Sequence, residues 1–149
     1  MKKITVFTLL LICGMLLYSC ENMLFSDEGG NIKAIQTDFE IGQPFELSYG
    51  GTATNTNESI RIEFTKVEDS RCPANVTCVW EGNGEVKLVT TIDDDELEVK
   101  LNTHSNYKKS ERVNGITLKL LELNPYPESA EKGIPKKEYK AILLAEREE

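Results

Sequence analysis

The sequence predicts an all-β fold, a single antiparallel β-sandwich with a small β-barrel as the alternative, following a cleaved signal peptide. Three observations carry this expectation. From Phe39 onward, short runs alternate apolar and polar residues between turn-forming residues. No long segment repeats apolar residues at three and four without an equally good alternating reading. The chain has 149 residues, enough for one ordinary core once an N-terminal segment is set aside.

That segment reads MKKITVFTLLLICGMLLYSC, two lysines followed by an apolar run from Ile4 to Leu17. This is the layout of a secretory signal. The run is shorter than the roughly 20 residues a membrane-spanning helix needs, and no second apolar run follows, which excludes a multi-span membrane protein. Leu17-Tyr18-Ser19-Cys20 resembles the lipobox of bacterial lipoproteins: Leu17, Ser19 and Cys20 match, whereas Tyr18 is bulkier than usual. The resemblance implies cleavage of residues 1–19 and attachment of lipid, palmitate included, to Cys20. An ordinary signal peptide cut nearby or an uncleaved anchor are the alternatives. Several acyl chains hold a protein stably, since one alone binds marginally.

Residues 20–35 read as a lipidated flexible tether, polar and containing the Gly29-Gly30 pair. Ser26-Asp27-Glu28 within it resembles the acidic export signal of some surface lipoproteins, although three residues make a weak motif and a solvated linker is the preferred reading. The folded domain is assigned to 36–149. Loss of residues 1–19, which carry Lys2 and Lys3 and no acid, takes the net charge from −8 to −10. So acidic a chain disfavours nucleic acid, because phosphate binding needs clustered cations. It disfavours peripheral contact with anionic lipid for the same reason.

In the domain, FELSYGGTA places Phe45, Leu47 and Tyr49 on one face, and SIRIEF does the same with Ile60, Ile62 and Phe64. EVKLVTTI pairs Val86 with Leu88, ELEVKL groups Leu97, Val99 and Leu101, and the acidic Asp93-Asp94-Asp95 between them suits a hairpin turn. GITLKLLEL carries Ile116, Leu118 and Leu120 in one phase and Leu121 and Leu123 in the other, which predicts a bulge or burial on both faces. KEYKAILLAE ends the series with Tyr139, Ala141 and Leu143. Seven or eight strands result, with connectivity open.

Four cysteines reduce to two, since Cys13 lies in the apolar run and Cys20 is the lipid acceptor. In an oxidising compartment, Cys72 and Cys78 are expected to form a disulfide. Pro73 and Asn75 favour a tight turn over Cys72-Pro73-Ala74-Asn75 that lets the thiols meet. Zinc needs more ligands than the lone His104 supplies. A redox pair would have two intervening residues, and a nucleophile would need a placed base. Trp80 is expected to cover the bridge or enter the core, with an exposed recognition role as the alternative.

Two long irregular stretches, 102–115 and 124–137, interrupt the strand pattern. The first gathers Tyr107, Lys108, Lys109 and Arg112, either a solvated loop or an anion or glycan contact. The second holds Pro125, Pro127 and Pro135, expected to stiffen the loop and keep a sheet edge from pairing. Calcium at Asp93-Asp94-Asp95-Glu96 is disfavoured because contiguous acids on a strand point to alternating sides.

The lipobox, the segment from EDSRCP to CVWEGNGEV and a leucine-rich last strand after NPYP together resemble a group of small exported lipoproteins of Gram-negative envelopes. The resemblance implies an envelope location, on an outer membrane, and one β-domain; it brings no substrate, activity or catalytic residue. The expected function is a non-catalytic, lipid-anchored binding or structural domain contacting an envelope protein or a glycan, without cofactor. Candidate interaction residues are Pro73, Asn75, Trp80, Tyr107, Lys108 and Lys109. A protease inhibitor presenting the braced loop 72–78 is the alternative. An enzyme ranks third, since no nucleophile motif or phosphate-cradling loop is legible.

Overall fold

A computed structural model describes residues 35–147. The signal peptide, Cys20 and all of the tether except its last residue lie outside the described residues. Nine strands occur among those described: β1 (Gln36–Asp38), β2 (Pro44–Ser48), β3 (Thr52–Asn55), β4 (Ile60–Asp69), β5 (Gly84–Ile92), β6 (Asp95–Asn102), β7 (Ser110–Val113), β8 (Ile116–Asn124) and β9 (Lys140–Arg147). They form a five-stranded sheet in the order β1-β3-β4-β5-β6 and a four-stranded sheet in the order β2-β9-β8-β7. The sheets do not close into a barrel, so the fold is an all-β sandwich. Every pairing is antiparallel except that of β1 with β3, which is parallel.

The alternation in the sequence becomes the two inner faces. Ile60, Ile62 and Phe64 of β4, Val86 and Leu88 of β5, and Val99 and Leu101 of β6 are buried against Leu47, Leu118, Leu120, Ala141 and Leu143 of the other sheet. Removing this apolar surface from water is the main stabilising term. Ring contacts add shape: Phe39 stacks on Phe45 with centroids 4.3 Å apart, and Tyr49 meets Phe64 edge-on at 5.6 Å.

Two hairpin turns follow from local chemistry. Asp93 and Asp94 both adopt positive φ, as do Asn114 and Gly115, the backbone that matches the right-handed twist of antiparallel strands. The double phase in GITLKLLEL is a bulge: the register shifts between Leu120 and Glu122, leaving Leu121 exposed and Leu123 buried.

Several expectations need correction. FELSYGGTA is two strands, because Gly50 at φ 74° turns the chain from β2 in one sheet to β3 in the other. The stretch 102–115 contains β7, whose four residues pair with β8; its charged Ser-Glu-Arg hides the period. Leu97 does not join Val99 and Leu101 in the core but stays 49% exposed on the edge strand β6. The proline-bearing loop 124–137 links β8 and β9, the two inner strands of their sheet, and so guards no edge.

Candidate functional site

The strand registers bring three long connections to one end of the sandwich. Asp69 of β4 lies opposite Gly84 of β5, and Glu85 opposite Asn102, so the segments 70–83 and 103–109 emerge side by side. Asn124 of β8 lies opposite Lys140 of β9, which places the segment 125–139 there too.

A buried ion pair ties these connections together. The Arg71 guanidinium bonds both oxygens of Asp69, Nε to Oδ1 at 2.9 Å and Nη2 to Oδ2 at 2.6 Å, with both side chains at least nine-tenths buried. Arg71 also donates from Nη1 to the Leu123 carbonyl at 2.6 Å and from Nη2 to the Pro125 carbonyl at 2.8 Å. Tyr139 donates its hydroxyl to Asp69 Oδ2 at 3.0 Å. One sheet supplies the carboxylate, and the other supplies the carbonyls and the phenol. The pair therefore clamps the sandwich at this end, and the bidentate fork is a geometry lysine lacks.

Burial opposes the Asp69 charge, yet the hydrogen bonds and charge of Arg71 and the Tyr139 hydroxyl outweigh it and hold the carboxyl below its ordinary value. Burial and the adjacent Asp69 charge push the Tyr139 phenol up to about 12. A depressed carboxyl contributes stability that is fully present above its unfolded value, and this is lost as pH falls through the folded one. The parent domain should therefore lose stability below about pH 4, and Asp69→Asn should flatten that acid limb. Urea midpoints between pH 2 and 6 read the difference; an unchanged limb would show that the pair does not govern it.

The segment 70–83 is held closely. Cys72 and Cys78 form the expected disulfide, with Cα atoms 6.0 Å apart. The turn lies one residue beyond its expected place, closed by Val76 N donating to Pro73 O at 3.2 Å. Ala74 N donates to Pro127 O at 2.9 Å, and Asn75 Oδ1 accepts from Ala130 N, so Ala74 and Asn75 face the 125–139 segment, while the Pro73 carbonyl closes the turn. Tyr126 donates its hydroxyl to the Cys72 carbonyl at 2.8 Å and spreads its ring over Arg71, 5.0 Å from the guanidinium carbon. Gly82 sits at φ 75°, and a Cβ there would lie 1.9 Å from the Ser70 carbonyl oxygen, so only glycine fits.

Closing so small a loop contributes about 2 kcal/mol through lost entropy of the unfolded chain. The Cys72→Ser/Cys78→Ser double variant should lower stability by about that amount in chemical denaturation. A value near zero would mean that the contacts to 127 and 130 already hold the loop.

Trp80 does not enter the core: it is 54% exposed, the alternative the sequence offered, and shares a surface depression with Cys72 and Cys78. It precedes the turn at Gly82, while inward-facing alternation begins only at Gly84. Its ring lies 5.9 Å from His104, which also meets Tyr107 edge-on at 5.8 Å. His104 Nδ1 accepts from Asn106 N at 3.1 Å, so Nε2 carries the proton of the neutral ring and faces Glu81 Oε2 at 3.9 Å. Asn83 anchors this row, donating to Asn102 Oδ1 at 2.8 Å and accepting from His104 N at 3.2 Å. Of the basic candidates, Lys108 pairs with Glu111 at 2.7 Å, and the Lys109 carbonyl accepts from Leu120 N.

Six of the eight most exposed large apolar side chains among the described residues belong to this end: Val76, Val79, Trp80, Tyr107, Leu121 and Tyr126. A cleft of about 370 Å³ opens at the same end, lined by Leu121 and Tyr126 of this set and by Arg71, Glu81, His104 and Glu122 among others. Sequence reasoning found Trp80 and Tyr107 but missed Tyr126, His104 and the Asp69–Arg71 clamp. The charged dipeptide flanking Ser70 was the available signal. Among the described residues no three His, Cys, Asp or Glu side chains are grouped to hold a metal ion. No family model matches the chain, and no curated protein or solved structure matches it.

Proposed function

We propose that this chain is a lipid-anchored protein of the bacterial envelope whose β-sandwich is a non-catalytic binding domain, with the aromatic end face as its contact surface. Export and lipidation at Cys20 rest on the signal-like N-terminus, the lipobox resemblance and the oxidised Cys72–Cys78 pair. The resemblance to small exported Gram-negative lipoproteins supports an outer-membrane location. The contact surface rests on one observation, the concentration of exposed rings and aliphatic side chains at a single end of the domain. Apolar side chains gathered this way mark interaction sites, and tryptophan and tyrosine carry much of the energy in such contacts. The clamp, the disulfide and Gly82 keep the surface rigid, which lowers the entropy cost of binding.

The inhibitor reading of loop 72–78 is weaker. Its Ala74 amide and Asn75 side chain are occupied by the 125–139 segment, so less of that loop is free to lie in a protease cleft.

Labelling with palmitate tests the anchor: label on the parent and none on Cys20→Ala is expected, and no label on the parent would sink it. For the surface, chemical crosslinking on intact cells with the parent and with Trp80→Ala/Tyr126→Ala is the test. Adducts that the parent forms and the variant loses are expected. Identical adduct patterns in equally folded proteins would refute the assignment.

A further inference from the structure

We infer that the cleft at the aromatic end takes a cationic side chain, an arginine or lysine displayed by a basic segment of a partner protein. The inference rests on the binding role just proposed and specifies the chemistry of the partner.

The cleft combines two features that suit a cation. Two rings line it, Tyr126 and His104, and Trp80 adjoins His104 with ring centroids 5.9 Å apart. The faces of tyrosine and tryptophan rings attract ammonium and guanidinium groups. It also carries two carboxylates, Glu81 and Glu122. Glu81 is 89% exposed in its side chain and lies 3.9 Å from the His104 imidazole; Glu122 accepts one hydrogen bond from Asn124 Nδ2 at 3.2 Å. Both retain acceptor capacity for a charged donor.

The cleft's own cation does not neutralise them. Arg71 is buried and spends its guanidinium on Asp69, Leu123 and Pro125. It nevertheless displays the proposed chemistry inside the protein, a guanidinium over the Tyr126 ring with a carboxylate beside it. A second guanidinium or an ammonium entering from solvent would meet Glu81, Glu122 and the outward rings. The acidic excess of the whole chain, net −8, draws basic segments toward it and repels acidic ones.

Trp80 is the chain's one tryptophan and adjoins the cleft through His104 and Glu81, so its emission reports on changes beside the site. The experiment titrates the purified domain with a capped hexapeptide of alternating arginine and glycine, and in parallel with the glutamate counterpart and a neutral oligosaccharide. A saturable change with the arginine peptide and none with the glutamate peptide is expected. Binding should weaken about tenfold in Glu81→Gln/Glu122→Gln, whose fold is checked by circular dichroism, and should weaken between low salt and 1 M salt. Equal response to arginine and glutamate peptides, or undiminished binding by the double variant, overturns the inference. A response to the oligosaccharide alone overturns the cationic ligand while leaving the binding face in place. No response to any probe overturns the cationic ligand, and identical cell-crosslinking patterns for parent and Trp80→Ala/Tyr126→Ala separately remove the face itself.

Discussion

Replacing Arg71 with alanine is expected to cost about 3–5 kcal/mol of folding stability, because it leaves the Asp69 carboxylate buried without its partner. The loss extends beyond the ion pair. Leu123 and Pro125 each lose a donor at 2.6 and 2.8 Å, and Tyr126 loses the group its ring covers. Unsatisfied buried acceptors carry a desolvation penalty of their own. Urea unfolding followed by circular dichroism measures the cost. Asp69→Asn should cost less in the Arg71→Ala background than in the parent, since the neutral amide removes the stranded charge. Equal costs in both backgrounds would mean that the two side chains act independently.

Phe64→Ala should destabilise by a similar amount, about 3–5 kcal/mol, for a different reason. Phe64 is fully buried in β4, touches Tyr49 edge-on, and lies where the chain crosses between sheets: Gly50 N donates to its carbonyl and its own N–H donates to Gly51 O. Truncation leaves a cavity that the surrounding strands fill only partly. The two variants should differ in where exchange of amide hydrogens rises below the unfolding transition. Arg71→Ala should expose the amides of 70–83 and 125–139 first, whereas Phe64→Ala should raise exchange across both sheets. The same local pattern in both would deny the clamp a role of its own.

Much of the core was legible because period-two alternation survives wherever one face of a strand is buried, as in Ile60-Ile62-Phe64 and Tyr139-Ala141-Leu143. It failed where burial did not impose that pattern. β7 has one buried residue, Val113, among Ser110, Glu111 and Arg112, and β1 has none. The sheet exchange at Gly50 was hidden because alternation through Tyr49 continues smoothly in sequence while the backbone turns. The bridge between Cys72 and Cys78 was legible from counting thiols, but the fate of Trp80 was not. Two residues after a cysteine say nothing about which side of a loop faces water, and Gly82, which fixes the loop, reads as an ordinary turn residue. Only half of the clamp had a signal in the sequence: Asp69 and Arg71 are two apart, but Leu123, Pro125 and Tyr139 reach them only through the register of the other sheet.

The proposed binding role places the partner-facing surface at one end of the sandwich. A photoreactive amino acid placed at position 80 or 126, and at position 61 or 97 as controls away from that end, tests this on living cells. Covalent adducts from 80 and 126, with none from 61 and 97, are the predicted result. Adducts from 61 or 97 alone, or from none of the four positions in a protein shown to be folded, would contradict it.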